Sequence, residues 1–180
     1  MGRKHIPLVA NEEFAPEVRE AVANSRYALP RERGQLGLPL NFDAEDGYPA
    51  NRERLLQMFR EHANNAVVLV GDTHSSWAFD LHDDDGDAIA VEFGTPSVSS
   101  PGFESFMPLP EQQLVNAFMR ASPDMRYMRG LGRGWMELDI TREKVSNTYY
   151  YVSTVMEQAY AVEAIAPMDS FAGEHVTRQA

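Results

Sequence analysis

Asp72 and His74 are the residues of this sequence whose types and spacing point most directly to chemistry. They lie in Gly71-Asp72-Thr73-His74-Ser75-Ser76, directly after the apolar run Ala66-Val67-Val68-Leu69-Val70. A carboxylate oxygen suits a hard cation such as calcium or magnesium, and a neutral imidazole suits iron or zinc. Two residues apart, the side chains reach toward one side if the local chain is extended, with Gly71 turning the backbone sharply before them. The pair fits part of a two-metal centre. A plainer reading stays open beside it, in which Asp72 caps the following turn and His74 is a surface residue.

Other candidates carry less. The chain has no cysteine, which removes disulfides, thiolate metal sites and thiol nucleophiles. Ser75, Ser76, Ser97, Ser99 and Ser100 offer hydroxyls, but no G-x-S-x-G elbow raises one as a nucleophile, so they are expected to line polar loops. Counted from Leu81, residues Asp83, Asp85, Gly86 and Glu92 fall on positions of a calcium-binding loop. Leucine stands at the first ligand position, however, and Asp85-Gly86 between two apolar runs is a hairpin signal, so a solvated turn is expected. His5, His62 and His175 occupy a terminus, a helix face and a tail, and no site is assigned to them.

The elements that must position Asp72 and His74 follow from periodicity. Leu55, Met58, Phe59 and His62 recur at the spacing of one buried helical face after Pro49. The run over residues 66–70 reads as a strand buried on both faces, which puts Asp72 and His74 beyond its carboxyl end, where ligands of α/β sheets collect. Residues 77–81 and 88–93 form the expected hairpin around the acidic turn. Residues 94–102 make a small-residue loop, residues 110–119 a helix, and residues 135–140 and 147–155 two strands joined by a turn. Residues 12–25 carry a weak helical pattern at Phe14, Val18 and Val22, residues 28–49 are rich in turn formers, and the tail from Pro167 is expected to fray. The fold class expected is α/β, a mixed sheet packed against helices.

At 180 residues and 43% hydrophobic composition, the chain has room for one ordinary domain. A formal charge of -11 argues against a sequence-independent grip on nucleic acid or on an anionic membrane. There is no apolar run of spanning length, and Met1-Gly2-Arg3-Lys4-His5-Ile6-Pro7 is not followed by the apolar core of an export signal.

In order along the chain, Asn41-Phe42-Asp43, Asp46-Gly47-Tyr48-Pro49 and Val67-Val68-Leu69-Val70-Gly71-Asp72-Thr73-His74-Ser75-Ser76-Trp77 resemble the PhoD-like alkaline phosphatase family. Val91-Glu92-Phe93-Gly94-Thr95-Pro96-Ser97-Val98-Ser99-Ser100-Pro101-Gly102 and Arg133-Gly134-Trp135-Met136-Glu137-Leu138-Asp139-Ile140-Thr141 extend the resemblance. It implies the C-terminal half of a calcineurin-like αββα metallophosphoesterase sandwich, over residues 41–166, with an irregular lead-in over 1–40 and a tail over 167–180. It further implies hydrolysis of phosphate esters by a metal-activated hydroxide, using iron and calcium or other divalent metals. Asp72 and His74 would be metal ligands, and Ser75, Ser76 and Thr95 would line the substrate pocket. Relatives of this kind are usually exported. The family's earlier ligand segments have no counterpart before Asn41, so the expected partner is a missing N-terminal half or another copy of the chain, and the chain alone is expected to be inactive. The alternative is a non-catalytic binding or scaffold domain derived from the same fold.

Overall fold

A computed structural model describes residue 20, residues 47–105 and residues 109–180. Apart from Glu20, which is helical, the expected helix over residues 12–25 lies outside the described residues, as does almost all of the turn-rich segment over 28–49.

Helix α1 (Pro49–His62) starts where sequence signals place it, with Pro49 in the first turn and the Tyr48 carbonyl accepting from the amides of Asn51 and Arg52. Its inward face differs from expectation. Arg52 and Leu56 are buried and Phe59 packs beside them, whereas Met58 and His62 are exposed. Arg52 fills a core-facing position because its guanidinium reaches a backbone carbonyl, that of His82, at 3.2 Å. An apolar-only pattern cannot register a buried arginine.

Strand β1 (Ala66–Val70) pairs in parallel with β3 (Ala88–Gly94), and β2 (Ser76–His82) pairs antiparallel with β3 on one side and with β4 (Met125–Arg129) on the other. The sheet order is β1-β3-β2-β4. β1 therefore lies at the edge among the described residues. Both its faces are packed, Val68 toward one core and Val67 toward the other, yet Leu69 is exposed, so the expected full burial belongs to β2 and β3 instead. The hairpin between β2 and β3 forms as expected. Asp83 Oδ1 accepts from the amides of Asp85 and Asp87, Gly86 supplies a φ of 88°, and Arg60 pairs with Asp83 and Asp87.

A 3-10 turn (Phe103–Ser105) and helix α2 (Glu111–Ala121) lead into β4. The second sheet contains β5 (Arg133–Ile140), β6 (Lys144–Val152), β7 (Val162–Ala164), β8 (Met168–Phe171) and β9 (Arg178–Gln179). β6 pairs with β5, β7 and β8, and β9 pairs with β8. The tail from Pro167 is thus part of a sheet and not frayed. Met168, Asp169 and Ser170 are buried, and Asp169 accepts from Lys144 Nζ at 2.6 Å and from the Ser146 hydroxyl. Asp80, also buried, accepts from Arg126 at 2.6 Å and from the amide and hydroxyl of Thr177, tying the tail to the first sheet.

Two cores result. Leu56, Trp77, Phe79, Leu81, Leu114 and Phe118 pack the helices onto one face of the first sheet. Ala78, Val91, Phe93, Tyr149, Tyr151 and Met168 fill the space between the sheets. Burial there pushes the Tyr149 and Tyr151 hydroxyls well above their ordinary pKa. Among the described residues the layers are helix, sheet, sheet. The expected αββα sandwich is not completed, because no described helix covers the outer face of the second sheet, where Trp135 stacks on Tyr150 and stays 40% exposed. No described helix is long and apolar enough to cross a membrane.

Candidate metal-ligand loop

β1 and β3 run in parallel, so their carboxyl ends lie side by side, and the Thr95 amide donates to the Val70 carbonyl at 2.9 Å just past the last ladder pair. The loop holding Asp72 and His74 leaves from that point. This is the location where α/β sheets gather ligands, outside the carboxyl ends of parallel strands.

The loop is not extended. Asp72 has φ of 66° and His74 φ of 56°, both left-handed, and the Thr73 amide donates to the Gly71 carbonyl at 2.8 Å. Gly71 has no positive φ, so the turn expected at the glycine is made by the aspartate and the histidine. Asp and His enter this region more readily than most side chains, but each placement still costs roughly 1 kcal/mol. Thr73 is pinned between them. Its hydroxyl oxygen accepts from Trp77 Nε1 at 2.8 Å and donates to the Ser75 carbonyl at 3.3 Å.

His74 Nδ1 lies 2.8 Å from the Pro101 carbonyl oxygen. A carbonyl can only accept, so in the neutral ring the proton sits on Nδ1 and Nε2 keeps its lone pair. Metal-binding histidines are commonly oriented in this way, with the second nitrogen bonded to a carbonyl or carboxylate. Asp72 is exposed. Ser75 and Ser76 are fully buried, and the Ser75 hydroxyl donates to the Gly130 carbonyl at 3.2 Å, so neither lines an open pocket. Thr95 is half-buried beside Gly71.

A buttress stands behind His74. An added Cβ at Gly102 would lie 2.7 Å from the Gly130 oxygen and 3.1 Å from the His74 oxygen, so three loops meet there with no room for a side chain. Glu111 holds one of them, its carboxylate accepting from the amides of Gly130 at 2.7 Å and Leu131 at 2.9 Å. Arg133 pairs with Glu104 and donates to the Leu131 carbonyl at 2.9 Å. An open groove of about 680 Å³ adjoins this buttress, lined by residues including Pro101, Glu104, Arg129, Arg133 and Met156. Pro101 is legible only as part of the small-residue loop over 94–102 and Glu111 carries no motif; the fold brings both to the loop.

As a metal site the pair is incomplete. His74 suits a first-row metal through Nε2 and Asp72 suits a hard cation, yet among the described residues no three His, Asp or Glu side chains gather to hold an ion. The donors fit two places in a coordination shell and leave the others unassigned.

A mixed sheet layered between helices and a second sheet, with an acid-histidine loop at its parallel strand ends, defines a mixed-sheet α/β protein with a candidate ligand site at a strand end. The chain belongs to the PhoD-like phosphatase family, whose model matches residues 8–149. It is 29% identical to alkaline phosphatase D of Bacillus subtilis (strain 168) over 127 residues, covering 70% of this chain and 22% of that protein. A solved structure described as that of PhoD superposes with a TM-score of 0.62 at 24% identity, over 78% of this chain and 27% of the other, which supports the fold. The chain thus spans about a quarter of the length of these relatives.

The family match corrects three expectations. It starts at residue 8, not near Asn41, and takes in most of the chain, so a resemblance confined to a C-terminal portion is overturned. The C-terminal half of a sandwich goes with it as a description of the fold. The missing N-terminal half or second copy, expected as a partner because nothing before Asn41 resembled the family, loses that ground. Residues 8–40 carry only the weak helical pattern at Phe14, Val18 and Val22 and a run of turn formers from residue 28, which offer little to recognise the family by.

Proposed function

We propose that the chain acts in metal-dependent hydrolysis of phosphate esters, of the alkaline phosphatase or phosphodiesterase type, with Asp72 and His74 as metal ligands. The observation that carries this reading is the His74 Nδ1 bond to Pro101, which in the neutral ring leaves the lone pair on Nε2, on a loop at parallel strand ends. Iron and calcium are the ions the family suggests, and other divalent metals are compatible with the same donors. A bound metal would supply Lewis-acid activation of the phosphoryl group. The chain's own part is to present the two donors, and the adjoining groove gives room for the organic part of an ester. Thr95, at the end of β3, remains a candidate for the pocket wall; the burial of Ser75 and Ser76 makes them supports of the loop.

The second reading is a non-catalytic binding or scaffold domain, favoured by the lack of a three-ligand group among the described residues. Hydrolysis of nitrophenyl phosphate and of its bis-ester by the purified chain, with iron, calcium or manganese added, separates the two. Metal-stimulated turnover that drops about 100-fold in folded Asp72→Asn and His74→Asn variants is expected. Turnover at background level with every metal, from chain of native circular dichroism, would favour the scaffold reading.

A further inference from the structure

Thr73 sits between two residues that both adopt the left-handed conformation, and although the residue is exposed its hydroxyl is engaged on both sides. Its hydroxyl oxygen takes the indole proton of Trp77, a residue 1% exposed and stacked among Phe79, Phe103 and Phe118. The Trp77 backbone carbonyl accepts from the Tyr149 hydroxyl at 2.5 Å, so the residue that carries the indole is also tied to the second sheet. The same Thr73 hydroxyl donates to the Ser75 carbonyl, closing a short ring around His74. One side chain thus ties the segment joining Asp72 to His74 to a fully buried residue of the helix-side core.

We propose that Thr73 is a positioning residue that fixes the backbone at Asp72 and His74, and through it the direction of the His74 ring. Its importance for a metal site rests on the reading of Asp72 and His74 as ligands. A left-handed residue on either side would relax toward commoner dihedrals once the pin is lost, and the His74 ring would leave Pro101. Valine has the same branched shape as threonine and lacks only the hydroxyl, so the change removes both of that oxygen's bonds, the one from the Trp77 indole included, with little change in shape.

Thr73→Val and Thr73→Ser test this in the purified chain. In the metal-free protein, side-chain nitrogen shifts from NMR report the His74 tautomer. The Nδ1–H form should dominate in the wild type and in Thr73→Ser and should become a mixture in Thr73→Val. Thr73→Ser should keep the wild-type thermal midpoint within a few degrees, while Thr73→Val, which leaves the indole N–H of Trp77 without its acceptor, should lower it yet still unfold cooperatively. Zinc titrated by calorimetry should bind about tenfold or more weakly to Thr73→Val and within about twofold of wild type to Thr73→Ser. An unchanged His74 tautomer in Thr73→Val overturns the proposal. So does wild-type zinc affinity in Thr73→Val when Asp72→Asn has lost it. Zinc binding unaffected by Asp72→Asn and His74→Asn sinks the ligand reading instead, and the tautomer still decides the role of Thr73.

Discussion

Gly71 and Gly134 look alike in sequence, each at one end of an apolar strand, yet the structure asks opposite things of them. A Cβ at Gly71 would lie 3.9 Å from Thr95 Cγ2, an ordinary contact, and its φ is not positive. At Gly134, φ is 156° and an added Cβ would fall 1.8 Å from the backbone oxygen of Tyr150, which cannot move without breaking the β5–β6 ladder. Gly71→Ala should change stability by no more than about 0.5 kcal/mol, whereas Gly134→Ala should cost about 3 kcal/mol or more. Urea denaturation of the two variants checks both values. The glycine of the 71–76 loop is the replaceable one, because Asp72 and His74 make its turn.

Among the elements, β8 shows how a short polar strand is held. Burial works to raise the Asp169 pKa, but the bonds from Lys144 and Ser146 outweigh it and hold the carboxyl below its ordinary value. A carboxyl depressed in the folded state contributes stability above its unfolded pKa and loses it as pH falls through the folded value. Thermal stability should therefore fall as pH drops below about 4, and Asp169→Asn should flatten that part of the profile while lowering stability near neutrality by about 1 kcal/mol. Scanning calorimetry between pH 2.5 and 7, bounds set by the ordinary carboxylate range, measures it. β8 is also an element that periodicity does not reveal. Met168-Asp169-Ser170-Phe171 has no apolar alternation, since its buried polar groups are satisfied by Lys144 and Ser146. β4 hides for a related reason: a register shift opposite Ala78 and Phe79 breaks its period, and arginines occupy two of its five positions. By contrast β2, β3, β5 and β6 are legible because each carries an apolar or aromatic face and a polar turn, Asp85-Gly86 or the segment headed by Thr141, although β6 (Lys144–Val152) lies three residues earlier than the expected 147–155. At the site, the D-x-H pair was readable from its place after a β-branched run. Its left-handed backbone, the Thr73 pin and the Pro101 acceptor were not, because each depends on chain brought from elsewhere or on dihedrals that residue type only weakly prefers.

For the molecule as a whole, a layer of helices and a layer of sheet enclose a mixed sheet from opposite faces, leaving the ends of its strands to carry chemistry. The loops after β1 and β4 and the segment after β3 meet around Gly102, and that junction sets His74 against Pro101. Family membership fits this arrangement, and the central claim is that the junction presents Asp72 and His74 to one metal ion. A crystal structure of the chain soaked in zinc, with anomalous difference density, tests it most directly. The account predicts a zinc peak about 2.0–2.2 Å from both His74 Nε2 and an Asp72 carboxylate oxygen. Zinc bound only elsewhere, with both side chains beyond coordination distance, would contradict it.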